Sequence, residues 1–139
     1  MTRGNGSRKL INITDRIATW NIHGKLYQEL NEQKYDLIDD MERLKIQICC
    51  LQETKMTRDT DVSIPTRGRI INIAARTPLG SRQWGLGFYI SEEWKELPMK
   101  YEYVTDRIAV LQIKKLADQK KQYTVVNVYA PTRKIPDNN

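Results

Sequence analysis

Ile46-Gln47-Ile48-Cys49-Cys50-Leu51-Gln52-Glu53-Thr54 is the stretch whose reading decides the fold. From Ile46 to Gln52 it is nearly continuous in apolar residues, with no clean polar–apolar alternation, and a short run of that kind suits a strand buried on both faces. Such a strand needs two covers, expected here to be a helix layer on one side and a second sheet on the other. The helix is visible just upstream. Over 31–45 the pattern takes a helical period: Leu30, Leu37, Ile38, Met41 and Leu44 share one face, while Glu32, Lys34, Asp36, Asp39, Glu42 and Arg43 lie largely on the other. Asn31 stands at the N-cap position.

Further upstream, Arg16–Ile22 reads as a short strand ended by a His23-Gly24 turn. Downstream, 54–66 reads as a polar loop. Strands are then expected over Arg69–Ala75, Gly85–Ser91, Lys100–Val104, Arg107–Lys114 and Gln122–Tyr129, with a loop marked by Gly80, Ser81, Gln83 and Gly85 and a hairpin tip at Lys115–Lys121. Strand, helix, strand and then several closely spaced strands predict an α+β chain, a layered sandwich. Residues 1–14 read as a basic, flexible lead-in, and 15–139 show no internal repeat or domain boundary in sequence, so one domain is expected.

The charge balance is 23 Lys and Arg against 17 Asp and Glu, a net of +6. That balance favours polyanionic partners such as nucleic acid, although many intracellular domains carry a similar charge and bind nothing through it. The two cysteines, Cys49 and Cys50, are adjacent and cannot staple distant segments, so they read as buried, reduced thiols. His23 is the only histidine, which argues against a Cys/His metal site. No signal peptide precedes the domain and no run reaches membrane-spanning length, so an intracellular location, nuclear or cytoplasmic, is expected rather than secretion or a membrane.

Four segments carry the chemistry: Thr19-Trp20-Asn21-Ile22-His23-Gly24, Leu51-Gln52-Glu53-Thr54, Gly85-Leu86-Gly87-Phe88-Tyr89-Ile90 and Asn127-Val128-Tyr129-Ala130-Pro131-Thr132. In three of them a polar residue stands at or just past the end of an apolar strand: Asn21, Glu53 and Tyr129. Strand ends in layered sheets meet at one rim, where sites form. There a carboxylate suits a hard cation, an amide can donate to a phosphoryl oxygen, and a phenol can position the same group. Taken singly, a solvated Glu53, a turn-forming Asn21 and a core Tyr129 are the more ordinary readings.

Together and in this order, the four segments resemble the endonuclease/exonuclease/phosphatase superfamily. The wording Gln-Glu-Thr-Lys and Val-Tyr-Ala-Pro-Thr is most similar to the apurinic-endonuclease-like domains of retroelements that lack long terminal repeats. The resemblance runs from about Arg16 to Thr132, and Asp106-Arg107-Ile108 adds to it. It implies a DNase I-like, four-layer α/β-β/α sandwich and Mg²⁺-dependent (or Mn²⁺-dependent) phosphodiester hydrolysis on nucleic acid, DNA in the first instance. Glu53 is implied as the metal ligand, Asn21 as orienting both metal and scissile phosphate, and Tyr129 as contacting that phosphate. Thr132, Arg133 and Arg82 are implied as substrate contacts, with Lys134 beside them. His23 stands where some relatives carry an acidic residue, and it is read as a structural or nucleic-acid contact rather than a catalyst.

The resemblance also implies two further motifs, Gly-Asp-x-Asn and Ser-Asp-His, which the 139 residues lack. The expectation is therefore a truncated, inactive copy of the domain. Its strands are expected to build mainly one sheet, leaving an apolar face that drives self-association. A non-catalytic nucleic-acid-binding remnant and a phosphomonoesterase of the same superfamily are the alternatives.

Overall fold

The computed structural model describes residues 15–24, 33–77, 84–114 and 122–130. In chain order the described elements are β1 (Ile17–Asn21), α1 (Gln33–Arg43), β2 (Ile48–Gln52), β3 (Thr60–Ser63), β4 (Arg69–Ile73), β5 (Leu86–Ile90), β6 (Met99–Thr105), β7 (Ile108–Lys114) and β8 (Gln122–Val128). The chain is α+β, with strands dominating. One sheet has the order β1-β2-β5-β4-β3 and the other is a β6-β7-β8 meander. β1 and β2 run parallel, and every other pairing is antiparallel. Parallel neighbours need a crossover, and α1 lies in it.

β2 has the two covers that its apolar run requires. Ile48 and Cys50 face a core shared with Ile71, Ile73, Phe88, Leu111 and Ile113, which is the space between the two sheets. Cys49 and Leu51 point the other way, onto Leu37, Ile38 and Met41 of α1. The result is three layers: helix, five-stranded sheet, three-stranded sheet. α1 ends at Arg43, two residues short of the sequence reading. Its last turn is closed by Lys45 N–H on Glu42 O (3.1 Å) and Ile46 N–H on Met41 O (3.0 Å), with Lys45 left-handed at φ 57°. Leu44, expected on the apolar face, is exposed beyond that turn. Leu30 and the expected cap Asn31 lie outside the described residues.

Two expectations are corrected. The stretch 54–66 contains a strand, β3, which is short, polar and mostly exposed, so no apolar pattern announces it. Its Asp61 accepts two bonds from Arg69 (both 2.8 Å) and one from Tyr101 Oη (2.7 Å), tying this edge to the second sheet. The second correction concerns the number of sheets. The strands do not build mainly one sheet, because β6–β8 fold back over β2, β4 and β5. Ala109, Leu111, Ile113 and Val125 thereby cover the face expected to stay wet. Among the described residues no helix is long and apolar enough to cross a membrane.

Candidate functional site

β1 and β2 are parallel, so their C-terminal ends lie at one rim of the five-stranded sheet. β5 is antiparallel to β2 and begins at the same rim, with Thr54 N–H on Gly85 O (3.1 Å) and Lys55 N–H on Trp84 O (2.9 Å). The β1 and β2 ends are joined by Ile22 N–H on Gln52 O (3.0 Å) and Gly24 N–H on Glu53 O (2.6 Å). From the facing sheet, β8 delivers Tyr129 just past its end.

The backbone at this rim is unusual. His23, Glu53 and Lys55 have φ of 52°, 56° and 58°, and Gly24 and Gly85 have 81° and 108°. Left-handed non-glycine residues cost of order 1 kcal/mol or more each and cluster where function demands them. For Glu53 the consequence is visible. Along β2 the side chains alternate, Cys49 and Leu51 to the helix, Ile48 and Cys50 to the facing sheet. Continued alternation would send residue 53 to the helix side. The left-handed turn breaks the alternation, and the carboxylate instead meets Tyr129 from the opposite sheet.

Tyr129 Oη donates to Glu53 Oε2 at 2.7 Å. The Asn21 side chain hydrogen-bonds the same carboxylate, and His23 Nδ1 lies 3.3 Å from Oε1. Asn21 is itself held, since its Oδ1 accepts the His23 N–H at 3.1 Å. Partial burial pushes the Glu53 pKa up, but the bonds from Tyr129 and Asn21, with the His23 charge and hydrogen bond, outweigh it. The carboxyl ends below its ordinary value and is ionised at neutral pH. The Tyr129 hydroxyl moves the other way, pushed up to about 12 by burial and by its bond to the Glu53 charge. It is therefore a protonated donor. The Glu53 and His23 side chains are 20% and 76% exposed, so the carboxylate remains open to small ligands.

The sequence reading did not assign the groups that hold this arrangement. Asn127, buried in β8, donates to Leu51 O (3.0 Å) and Gly87 O (2.9 Å) and accepts from Gln52 Nε2 (2.9 Å). Gln52 also donates to Thr19 Oγ1 at 2.8 Å. Asn127 thus pins the second sheet to β2 and β5 two residues before Tyr129. Trp84 meets the Tyr129 ring edge-on at 6.3 Å, and the Arg107 guanidinium lies 5.4 Å over the Trp84 ring. The signal available in sequence was Gln52, the polar residue that ends the apolar β2, and Asn127, the polar residue set between Val126 and Val128.

Asp106, part of the resemblance, serves as an anchor. It accepts from Arg76 N–H (2.6 Å), Thr77 N–H (3.1 Å), the Thr77 hydroxyl and Tyr103 Oη (2.7 Å). Burial raises its pKa, but these four donors more than offset that and hold it at about 2. Its lone pairs are occupied within the fold, which leaves none for a substrate.

Of the expected site residues, Asn21, Glu53 and Tyr129 come together, with His23 beside them. Thr132, Arg133, Lys134 and Arg82 lie outside the described residues. Among the described residues no group of three or more His, Cys, Asp or Glu could hold a metal ion. A site with one carboxylate still fits Mg²⁺, which takes one or two carboxylates and keeps several waters, and it fits Zn²⁺ poorly. Comparison with known protein families and with curated proteins finds no match.

Proposed function

We propose that the Asn21–Glu53–Tyr129 rim binds Mg²⁺, with Mn²⁺ able to replace it, together with a phosphodiester of nucleic acid. In this reading the chain carries the first half of an endonuclease-type site, within part of a DNase I-like four-layer α/β-β/α sandwich. The carrying observation is the left-handed backbone at Glu53, which brings an ionised carboxylate against a phenol and an amide from two other strands. The helix–sheet–sheet layering supports the fold assignment, and the quoted motifs support the family.

Each residue has a defined task. Glu53 supplies anionic oxygen to the cation, in exchange for the donors it now accepts. Asn21, fixed by the His23 N–H, turns its amide toward the same point. Tyr129, neutral at working pH, donates to a phosphoryl oxygen and orients it. Bound Mg²⁺ supplies charge neutralisation and polarisation of the phosphoryl group. No second carboxylate joins Glu53 and His23 among the described residues. Proton transfer by a positioned base is typically worth about 10²–10⁴-fold. Binding without appreciable turnover is therefore what the described residues support.

Mn²⁺ titration followed by electron paramagnetic resonance, on the chain and on Glu53→Gln, tests the reading. Weak binding to the parent that falls about tenfold or more in the variant supports it. Equal binding by both sinks it. Mg²⁺-dependent nicking of plasmid that disappears in Glu53→Ala would overturn the assignment of binding without turnover.

A further inference from the structure

Beside the rim lies an open, shallow cleft of about 650 Å³ lined by Thr77, Trp84, Tyr103, Thr105, Asp106 and Arg107. We propose that this cleft takes a nucleobase, stacked on Trp84, of the nucleotide whose phosphate sits at Glu53 and Tyr129. The inference rests on the phosphodiester reading and deepens it, adding to the nucleic-acid phosphate a contact with the base it carries.

Three observations carry it. The first is continuity. Trp84 touches Tyr129 edge-on, ring centres 6.3 Å apart at 69°, and Tyr129 holds Glu53. The aromatic wall of the cleft is thus one ring away from the proposed phosphate position. The second is the cation. Arg67, Arg69 and Arg76 are each tied to carboxylates, of Asp39 and Glu42, of Asp61 and of Asp59. The described contact of the exposed Arg107 guanidinium is the Trp84 ring instead. An arginine plane beside an aromatic face is the pairing that proteins use to hold an unstacked base and its phosphate. The third is rigidity. Tyr103 Oη is held by Asp106 and its ring is covered by the Arg76 guanidinium at 4.5 Å, so the far wall is fixed before a ligand arrives.

The competing account is that Arg107 and Trp84 form only a surface cation–π pair. That account places no demand on what the chain binds, whereas a stacking platform does. Base-on-aromatic stacking is worth roughly tenfold or more in affinity per base.

Fluorescence anisotropy on the full chain with Mg²⁺ present, the cation through which the ionised Glu53 would hold a phosphate, separates the two. The probes are a short oligothymidylate and an oligomer of equal length whose residues are abasic, so that phosphate number is constant. Tighter binding of the thymidylate by roughly tenfold, lost in Trp84→Ala and in Arg107→Gln but retained in Trp84→Phe, supports the proposal. The Phe and Gln variants keep the test meaningful if Trp84→Ala unfolds. Equal affinity for the two oligomers, no binding of either, or a preference untouched by Arg107→Gln and Trp84→Ala overturns it. Equal affinity alongside Mn²⁺ binding at Glu53 removes the base site and leaves the phosphodiester reading. A base preference without Mn²⁺ binding overturns the phosphodiester reading and, with it, the placement of this nucleotide's phosphate at Glu53.

Discussion

Gln52 Nε2 donates to Asn127 Oδ1 across the sheet interface at 2.9 Å, and both side chains are buried, 7% and 1% exposed. One residue beyond Gln52 stands Glu53, and two beyond Asn127 stands Tyr129. The clamp between the sheets is therefore also what sets the distance between carboxylate and phenol. A polar pair in an otherwise apolar interface is stable only because each member is satisfied: Gln52 by Asn127 and Thr19, Asn127 by Gln52, Leu51 O and Gly87 O.

Asn127→Leu removes one acceptor and two donors at once and leaves buried groups of β2 and β5 without them. An unsatisfied buried group costs about 1–3 kcal/mol, so the variant is expected to lose about 3 kcal/mol in urea unfolding. A loss under about 0.5 kcal/mol, the scale of an unremarkable surface change, would show that the clamp is dispensable.

Tyr129→Phe keeps the ring against Trp84 and deletes the hydroxyl that donates to Glu53. The Glu53 pKa, held down in the parent, is expected to rise when the carboxyl is titrated by NMR. The sign for stability follows from the depressed native value. Ionised Glu53 stabilises the fold above its ordinary carboxyl pKa, and this is lost as pH falls through the lower native pKa. The stability gap between parent and Tyr129→Phe should therefore be widest near neutral pH and narrow in acid. A gap that widens on acidification contradicts the assigned charge state.

The sequence made some of this legible and hid the rest for identifiable reasons. β2 and α1 could be read because an apolar run and a 3.6-residue period are local signals, and Ile48 to Leu51 obey the double burial they imply. The meeting of Asn21, Glu53 and Tyr129 at one rim could be anticipated because strand-end polar residues stand out against apolar neighbours. β3 could not, since Thr60-Asp61-Val62-Ser63 pairs only as an exposed edge and needs no apolar alternation. The separate second sheet was missed because it is set by face-to-face packing, Leu111 and Ile113 against Ile71 and Phe88, which no local pattern encodes. Asp106 was noticed but not understood: its partners Arg76 and Thr77 lie about thirty residues away in sequence.

Cys49 and Cys50 should be chemically silent in the native state. Burial, with the neighbouring Cys50 adding to it, pushes the Cys49 thiol up to about 12, and burial alone pushes Cys50 to about 11. The thiolate is the reactive form, so Ellman's reagent should react only through unfolding, at a rate that rises with urea as global opening does. Fast, denaturant-independent labelling of either thiol would contradict the buried β2.

Asp106→Asn tests the anchor of the 74–77 segment. At neutral pH the substitution exchanges an anion that accepts four bonds for an amide that must place a donor against them. A loss of about 2 kcal/mol is expected. Because Asp106 falls from an ordinary 3.8 to about 2 in the fold, its contribution is complete above the first value and vanishes as pH drops through the second. Parent and variant stabilities should converge between those two values in acid urea titrations. A constant difference across that window would mean that the charge of Asp106 contributes nothing.

Gly85→Ala is the most discriminating change at the rim. At a position with ordinary φ, replacing glycine by alanine stabilises a protein by about 0.4–1 kcal/mol through the unfolded chain. Gly85 has φ 108°, and a Cβ there would collide with Thr54 Oγ1 and lie 3.3 Å from Lys55 N. Thr54 is fully buried, so it has no open side to move into, and its own N–H is bonded to Gly85 O. The collision must therefore be relieved along the chain, through the left-handed residues Glu53 and Lys55. The expected outcome reverses the ordinary sign: a destabilisation of about 2 kcal/mol, with weaker Mn²⁺ binding because Glu53 is displaced from Tyr129. Stabilisation by Gly85→Ala would mean that the rim tolerates a different backbone, and the positioning of Glu53 by its left-handed turn would fall with it.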